Sequence, residues 1–331
     1  MLIAFAVFGS LPFWITEIGL YHYLGVEILI WCIYALGFNL LLGYAGLPSF
    51  GHGAYFGIGA YAFGLTQFNL WPNLWVCLAA AILAATLFGA VVACFISHRR
   101  GIYFALMTIA FGQMFFFIAS KWTSVTKGED GLLNIARLPV ELGFAAYPIQ
   151  RNAAFYWFVF ACFVVVAVLL WRIVNSPFGK VIQAIKQNEL RMSFLGYRVE
   201  LYKGAAFVLS CAFSGFAGAL FAMAQGGAFV QVMNLQWSGV IVLMTLIGGG
   251  LVSFWGPVLG TILYFVARDL LGAYTATWLL WFGLMFMLVV MFKPEGLAGL
   301  WRDLRRRGAT RTNAAKAGAQ PSALLALLRA R

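Results

Sequence analysis

Residues that could do chemistry are few in this sequence. Its three histidines, His22, His52 and His98, stand at no metal-binding spacing and form no HExxH motif. A GxSxG nucleophile motif is absent. The nearest approach to an ATP-binding Walker A motif, NSPFGKV at 175–181, lacks its first Gly and its final Ser or Thr. We therefore expect no catalytic centre, no metal site and no cofactor in this chain.

Four polar residues lie within otherwise apolar stretches: Asn39, Ser49, His52 and Gln113. Polar side chains in such surroundings line paths for solutes, but they also form hydrogen bonds between packed helices. Each of the four is therefore a candidate for lining a translocation path and, equally, for holding two helices together. An enzyme that uses His52 or His98 as a base is disfavoured, because the sequence offers neither residue a nucleophile or a carboxylate partner.

The composition places the chain in lipid. Of its 331 residues, 63% are hydrophobic and 10% are charged, whereas a soluble domain has about 25% charged residues. A membrane-spanning helix needs roughly 20 mostly apolar residues, and the sequence offers about ten such segments. The expected fold class is all-α, a polytopic transmembrane helical bundle with spans at about 2–21, 25–43, 51–70, 74–97, 101–120, 153–172, 205–225, 238–250, 255–271 and 276–292.

The basic residues indicate how the chain lies in the membrane. The net charge is +12, and Lys and Arg are concentrated at 172–203 and 302–331, with Arg99 and Arg100 in another short loop. Basic residues beside apolar spans mark the cytoplasmic side, so their placement favours membrane topology over nucleic-acid binding. Alternation of the spans then puts both termini in the cytoplasm and the loop 121–152 outside.

Cysteines and small residues in the apolar runs indicate how the helices pack. The five cysteines lie in apolar runs without a CxxC pair and are typical of packing residues. Small residues at four-residue spacing, in 81–93 and again in 210–222, predict close contact between two helices.

The predicted spans carry no charge near the membrane centre, so proton coupling is not expected. Energy for uphill movement of a solute would come from another subunit.

Two segments predict broken helices. GYAGLPSFGHGAYFGIGAY at 43–61 separates the second and third spans, and IGGG at 247–250 ends the short eighth span. Irregular backbone at membrane depth is tolerated only where protein or a cavity surrounds it. The backbone positions assigned to the breaks are Gly43, Gly46, Pro48, Gly51, Gly53, Gly248, Gly249 and Gly250.

The segment SPFGKVIQAIKQNELRMSFLGYRVELYK at 176–203 predicts a cytoplasmic amphipathic helix in two pieces. Ser176 is a favourable N-cap, Pro177 suits the first helical position and Gly196 is a C-terminal stop. Such a helix can lie on anionic lipid headgroups or dock into a groove on a soluble partner. The absence of an ATP motif from the chain favours docking.

Several blocks follow one another along the chain: GYAGLPSFGHGAYFGIGAY at 43–61, RRGIYFALMTIAFGQM at 99–114, NSPFGKVIQAIKQNELRMSFLGYRVELYK at 175–203, LIGGGLVSFWGPVLGT at 246–261 and KPEGLAGLW at 293–301. Together they resemble the permeases of branched-chain amino-acid ABC importers, and most of all the M permease of that pair. The resemblance implies a multi-pass protein of the bacterial inner membrane.

The resemblance also implies a heteromeric importer for hydrophobic amino acids or related small solutes. A sister permease, two cytosolic ATPases that bind ATP and Mg, and a periplasmic substrate-binding protein would complete it. Residues 175–203 would be the coupling region that docks into an ATPase, and TKGEDGLLNI at 126–135 could face the binding protein. The residues assigned to coupling are Phe178, Val181, Ala184, Ile185, Asn188, Glu189, Leu190, Phe194 and Gly196.

The extent of the resemblance also predicts how the chain divides. A transmembrane permease domain is expected at 1–301, and a basic, disordered cytoplasmic tail is expected at 302–331. The tail and Pro48 depart from the family pattern. Permeases for urea and short amides are close relatives and stay open as an alternative, as does, in a different class, a stand-alone secondary carrier. Whether the second permease is a different chain or a second copy also stays open.

Overall fold

The chain folds as a series of helices joined by short connections. The computed structural model describes residues 22–141, 146–251, 253–275 and 277–292, together with 296, 298 and 299. The helices are α1 (His22–Asn39), α2 (His52–Asn69), α3 (Leu74–Ile96), α4 (Gly101–Lys121), α5 (Thr123–Thr126), α6 (Asn152–Asn175), α7 (Pro177–Gln187), α8 (Glu189–Phe194), α9 (Val199–Gln225), α10 (Leu235–Gly248), α11 (Gly256–Tyr274) and α12 (Trp278–Phe292).

Shorter elements lie between these helices. A π-helix, Leu40–Ala45, continues α1, and two 3₁₀ turns cover Gly128–Asp130 and Val230–Met233. Four strands of two residues each form two antiparallel pairs, β1 with β4 and β2 with β3. Their bounds are β1 (Leu132–Leu133), β2 (Val140–Glu141), β3 (Ala146–Tyr147) and β4 (Gly227–Ala228).

Six of the described helices are long and apolar enough to cross a membrane: α1 with its π-helical extension, α3, α4, α6, α9 and α11. Two shorter apolar helices, Leu235–Gly248 and Trp278–Leu288, accompany them. A polytopic helical membrane protein is therefore confirmed. The count of ten spans and the cytoplasmic termini stay predictions, since the first predicted span, 2–21, and the tail, 302–331, lie outside the described residues.

Helix α1 is the centre of the bundle. Its apolar window is wholly buried, and α6, α9 and α11 pack around it. The outer helices instead expose apolar side chains, among them Leu83 and Phe88 on α3 and Phe117 on α4. This arrangement is what a bilayer solvent permits, because lipid tails are as apolar as these side chains.

Small residues allow α9 to contact α2 and α3 closely. A side chain at Gly218 would collide with the carbonyl oxygen of Phe56 on α2, and one at Gly215 would collide with Ala85 on α3. The small residues predicted on α3 therefore meet α9, at Gly215 and at Cys211, whereas Gly218 of the predicted α9 stripe packs on α2.

An ion-pair cluster joins α1 to α11. The Arg268 guanidinium donates from both terminal nitrogens to the Glu27 carboxylate, at 3.2 and 3.1 Å, and its Nε donates to Asp269 at 3.0 Å. The guanidinium also lies 4.5 Å from the centre of the Phe265 ring. Glu27 is buried, and this bidentate geometry is the strong form of a carboxylate–guanidinium contact.

Candidate functional site

The first helix break lies inside the bundle. The π-helix ends at Gly46, which has a left-handed backbone (φ 70°) and donates its N–H to the carbonyl of Leu41. Residues 47–51 then run without regular structure to the start of α2 at His52. Leu47, Ser49 and Gly51 in this stretch are buried, whereas Gly46 is exposed, so protein encloses the irregular backbone only in part. We call residues 40–51 the break segment.

Side chains from distant helices satisfy backbone donors around the break segment. The N–H of Phe50 donates to the Thr108 hydroxyl on α4 at 3.2 Å, and the N–H of Gly53 donates to the Ser238 hydroxyl on α10 at 2.9 Å. These N–H groups belong to the break and to the first turn of α2, where helical partners are missing. The hydroxyl groups of α4 and α10 therefore replace the lost helical hydrogen bonds.

His52 forms a hydrogen-bonded chain through the bundle. Its Nδ1 lies 2.8 Å from the Ser49 hydroxyl, its Nε2 lies 2.8 Å from the Ser210 hydroxyl, and Ser210 donates to the carbonyl of Gly37 at 2.9 Å. Because the one hydroxyl hydrogen of Ser210 is used on Gly37, Ser210 accepts from Nε2–H, and Nδ1 accepts from Ser49. The network assigns a neutral ring that ties α1, the break segment and α9 together.

The other two predicted path residues have different surroundings. Asn39 is buried, and neither atom of its amide has a hydrogen-bond partner among the described residues. Gln113 on α4 is half-buried, beside Gly112, which contacts Gly51. Ser49 and His52 are already committed to interhelical hydrogen bonds. Which of the four line a translocation path stays a prediction.

The two predicted breaks meet at Asn39. A side chain at Gly43 would collide with the Asn39 amide oxygen, and a side chain at Gly250 would approach the same oxygen. Helix α10 ends at Gly248, and Gly249 takes a left-handed backbone (φ 85°). The glycines of both segments thus bring two helix ends together around one buried amide. Of the remaining predicted positions, Pro48 and Gly51 lie in the break segment and Gly53 lies within α2.

The region predicted to couple to an ATPase contains two short helices, α7 and α8, which we call the coupling hairpin after that prediction. Ser176 caps α7 by accepting from the N–H of Gly179, with Pro177 at the first helical position. Asn188 caps α8 by accepting from the N–H of Arg191 at 2.9 Å. Gly196 follows with a left-handed backbone (φ 84°). Helix N-caps of this kind contribute roughly 0.5–2 kcal/mol.

The coupling hairpin has an inner and an outer face. Ile185 is buried in a small apolar cluster with Met192 and Val199, against which Val181 and Ala184 also pack. Phe178 stacks on Tyr202, with 5.8 Å between the ring centres. The side chains of Leu190 and Phe194 are instead 59% and 87% exposed. The predicted coupling residues therefore divide into those that hold the hairpin on the bundle and those free to contact a partner.

Glu189 anchors the hairpin by ion pairs. Its carboxylate lies 2.8 Å from Nε of Arg100 and 3.3 Å from Nζ of Lys203. Lys203 is buried and also donates to the carbonyl of Arg99 at 2.7 Å. These contacts join α8 to the 97–100 loop and to α9. The sequence singled out Glu189 but not its partners; the predicted placement of these basic residues on the same side of the membrane was the available signal.

Lys186 connects the hairpin to the break segment and was also missed. Its ammonium donates to the carbonyl of Gly43 at 2.6 Å, and its side-chain carbons pack against Gly46. Partial burial lowers the pKa of Lys186 below its ordinary value. A cavity of about 440 Å³ lies beside it, lined by Gly43, Tyr44, Gln183, Lys186, Gln187, Gly250 and Leu251.

The described residues contain no group of three or more His, Cys, Asp or Glu side chains that could hold a metal ion. The site instead combines partly enclosed helix breaks with an amphipathic hairpin that exposes an apolar tip at one end of the bundle. Helix breaks of this kind are features of polytopic membrane transport proteins.

Comparison with known proteins identifies the family. The family described as the permease component of the branched-chain amino acid transport system matches residues 20–292, and the chain belongs to it. The resemblance found in the sequence is thereby confirmed, including its likeness to the M permease.

Relatives in two bacteria and an archaeon support the assignment. The high-affinity branched-chain amino acid transport system permease protein LivM of Escherichia coli (strain K12) is 29% identical over 294 residues, which cover 83% of this chain and 69% of that protein. LivM of Salmonella typhimurium is 28% identical, with the same coverage. A probable LivM of Methanocaldococcus jannaschii is 26% identical over 82% of this chain and 92% of that protein. No solved structure matches the chain.

The His52 network yields a first prediction. Replacing Ser210→Ala removes the acceptor of His52 Nε2–H and the donor to Gly37, so we expect a loss of about 1–2 kcal/mol of stability. The measurement is thermal unfolding of the purified chain in detergent. Ser193→Ala is the matched control, because that hydroxyl bonds only its own exposed helix. An unchanged unfolding midpoint for Ser210→Ala would contradict the network.

The Glu189 ion pairs yield a second prediction. Arg100 is closer to the carboxylate, but its side chain is 56% exposed, whereas that of Lys203 is 3% exposed. Because water screens the exposed pair, a double-mutant cycle should give about 0.2–1 kcal/mol for Arg100–Glu189 and about 1.5–3 kcal/mol for Lys203–Glu189. The variants are Glu189→Gln, Arg100→Met and Lys203→Met, measured by chemical unfolding. A larger coupling for Arg100 would show that distance outweighs burial here.

Proposed function

We propose that this chain is a transmembrane permease subunit of an ATP-driven importer that carries branched-chain amino acids, or related hydrophobic solutes, into the cell. Membership of the branched-chain amino acid permease family supports the substrate class. The relatives named for branched-chain amino acids favour it over urea or short amides. A stand-alone carrier is less well supported, because the similar proteins are named as components of transport systems.

The proposal that an ATPase drives transport rests on the apolar tip of the coupling hairpin. Leu190, Phe194 and Leu195 are exposed on its outer face, beside the basic residues Arg191 and Arg198. An amphipathic helix with aromatic and aliphatic anchors is suited to a groove on a soluble partner. The chain has no Walker A motif, so that partner is the ATPase, which binds ATP and Mg.

The proposed importer contains further subunits beside this chain. A sister permease stands beside this chain in the bacterial inner membrane, two ATPases dock on the cytoplasmic side, and a periplasmic binding protein delivers the solute. The ten-span arrangement with both termini in the cytoplasm places the coupling hairpin on the ATPase side. Closure of the ATPases then moves the hairpin, and the helices alternate between outward and inward access.

Transport by the reconstituted complex is the direct test. The chain, its sister permease and its ATPases in proteoliposomes, supplied with the binding protein, should take up radiolabelled leucine only when ATP is present. Excess isoleucine or valine should compete, and excess urea should not. Leucine uptake that needs no ATPase subunit would overturn the proposal in favour of a stand-alone carrier, and competition by urea alone would overturn the substrate class.

Docking by the hairpin tip is tested separately. Phe194→Ser removes the most exposed aromatic anchor of α8, and we expect ATPase retention on the purified permease to fall by about tenfold or more. The control is Tyr147→Ser, which alters a comparably exposed aromatic residue, 59% against 87% exposed, in the 121–152 loop. Normal retention of the ATPase by correctly folded Phe194→Ser would contradict docking through this tip.

A further inference from the structure

Lys186 is an exposed residue of the coupling hairpin, and its ammonium reaches a backbone carbonyl of the bundle. Its ammonium donates to the carbonyl of Gly43 at 2.6 Å, across 143 residues of sequence. That carbonyl belongs to the π-helix, where the α-helical hydrogen-bond ladder of α1 is interrupted. The link therefore joins the surface helix α7 to the point where the central helix of the bundle loses regular structure.

A second contact fixes the same side chain. The Lys186 stem lies over Gly46, where an added Cβ would come within 2.8 Å of the lysine Cγ. Gly46 is left-handed and ends the π-helix, so the lysine contacts both a carbonyl within the π-helix and the residue at its end. A charged donor makes a stronger hydrogen bond to a carbonyl than a neutral one does. Partial burial of the ammonium also lowers its pKa, which reflects reduced hydration.

Gly43 contacts the second break. The residue packs against the Asn39 amide and against the carbonyl of Gly250, at the end of the second break. Both glycines line the cavity of about 440 Å³ that also contains the Lys186 side chain. The Gly43 residue thus lies between Lys186 and both broken helix ends, beside this cavity.

The other charged link of the hairpin leads elsewhere. Glu189 pairs with Arg100 and Lys203, which belong to the 97–100 loop and to α9. These contacts attach the hairpin to a loop and to a regular helix. The break segment is reached by the Lys186 hydrogen bond and by the apolar packing of Ile182 with Leu41, Ala45 and Leu47. The hairpin is therefore anchored at one point and connected to irregular backbone at another.

We propose that Lys186 is a positioning residue that transmits movement of the coupling hairpin to the break segment, and through Gly43 to the Gly248–Gly250 end of α10. The inference rests on the proposed function, since the movement is the one imposed by a docked ATPase. Lys186 acts through the backbone of Gly43, and its role is to couple ATP hydrolysis to the opening of the bundle.

The test is the ratio of solute taken up to ATP hydrolysed by the complete reconstituted importer. Lys186→Met keeps an unbranched stem over Gly46 and removes the ammonium. We expect ATP hydrolysis to stay within about twofold of wild type while leucine uptake per ATP falls about tenfold or more. Lys186→Arg, which retains a charged donor, should restore much of that ratio.

Lys180→Met is the matched control, because Lys180 is exposed on the same helix, as Lys186 is, but does not line the cavity. It should leave the ratio unchanged. A wild-type ratio in Lys186→Met would overturn the inference. So would a parallel loss of hydrolysis and uptake with an intact ratio, because that pattern belongs to a merely structural residue.

Two further outcomes are distinguishable. If Lys186→Met fails to assemble with the ATPases, Lys186→Gln takes its place, and failure of that variant as well would make Lys186 structural and overturn the inference. If the wild-type complex itself shows no ATP-dependent uptake, the proposed function fails and the inference falls with it. Normal wild-type transport combined with an unchanged Lys186→Met ratio removes the inference alone.

Discussion

Backbone groups at membrane depth have no water to bond, and this constraint governs the whole site. Helix α1 is wholly buried, and yet its α-helical hydrogen bonds give way to π-helical ones at Leu40–Ala45 and then to irregular backbone in the rest of the break segment. The deficit is met by hydroxyl groups of α4 and α10 and by the Lys186 ammonium. An interrupted helix is therefore stable here only while its neighbours stay in place, which makes its conformation responsive to them.

The coupling hairpin contacts this interrupted helix. Its inner face is held by the Ile185 cluster and by the Glu189 ion pairs, while Phe194 at its outer tip is exposed. A force applied at the tip reaches α9 through Lys203 and reaches the break segment through Lys186. Close packing passes shifts on between neighbouring side chains, and the cavity beside Gly43 and Lys186 leaves the break segment room to move.

The bilayer explains the distribution of charge and of small residues. Outer helices expose Leu and Phe, since hydrocarbon contact costs nothing. The charged cluster of Glu27, Arg268 and Asp269 is satisfied internally by paired hydrogen bonds. Without a hydrophobic force between helices in lipid, close contact at glycines such as Gly218 supplies the packing that holds α9 against α2.

Composition and local pattern by themselves determined the lipid environment, the helical class, the positions of both breaks, the Ser176 cap of α7 and the family. Each of these depends on residues within a few positions of one another or on recognisable blocks. The partners of His52, Glu189 and Lys186 required the tertiary structure: Ser210 lies 158 residues from His52, and Gly43 lies 143 residues from Lys186. Helical periodicity specifies which face of a helix is apolar, but only packing in three dimensions decides which distant polar group that face meets.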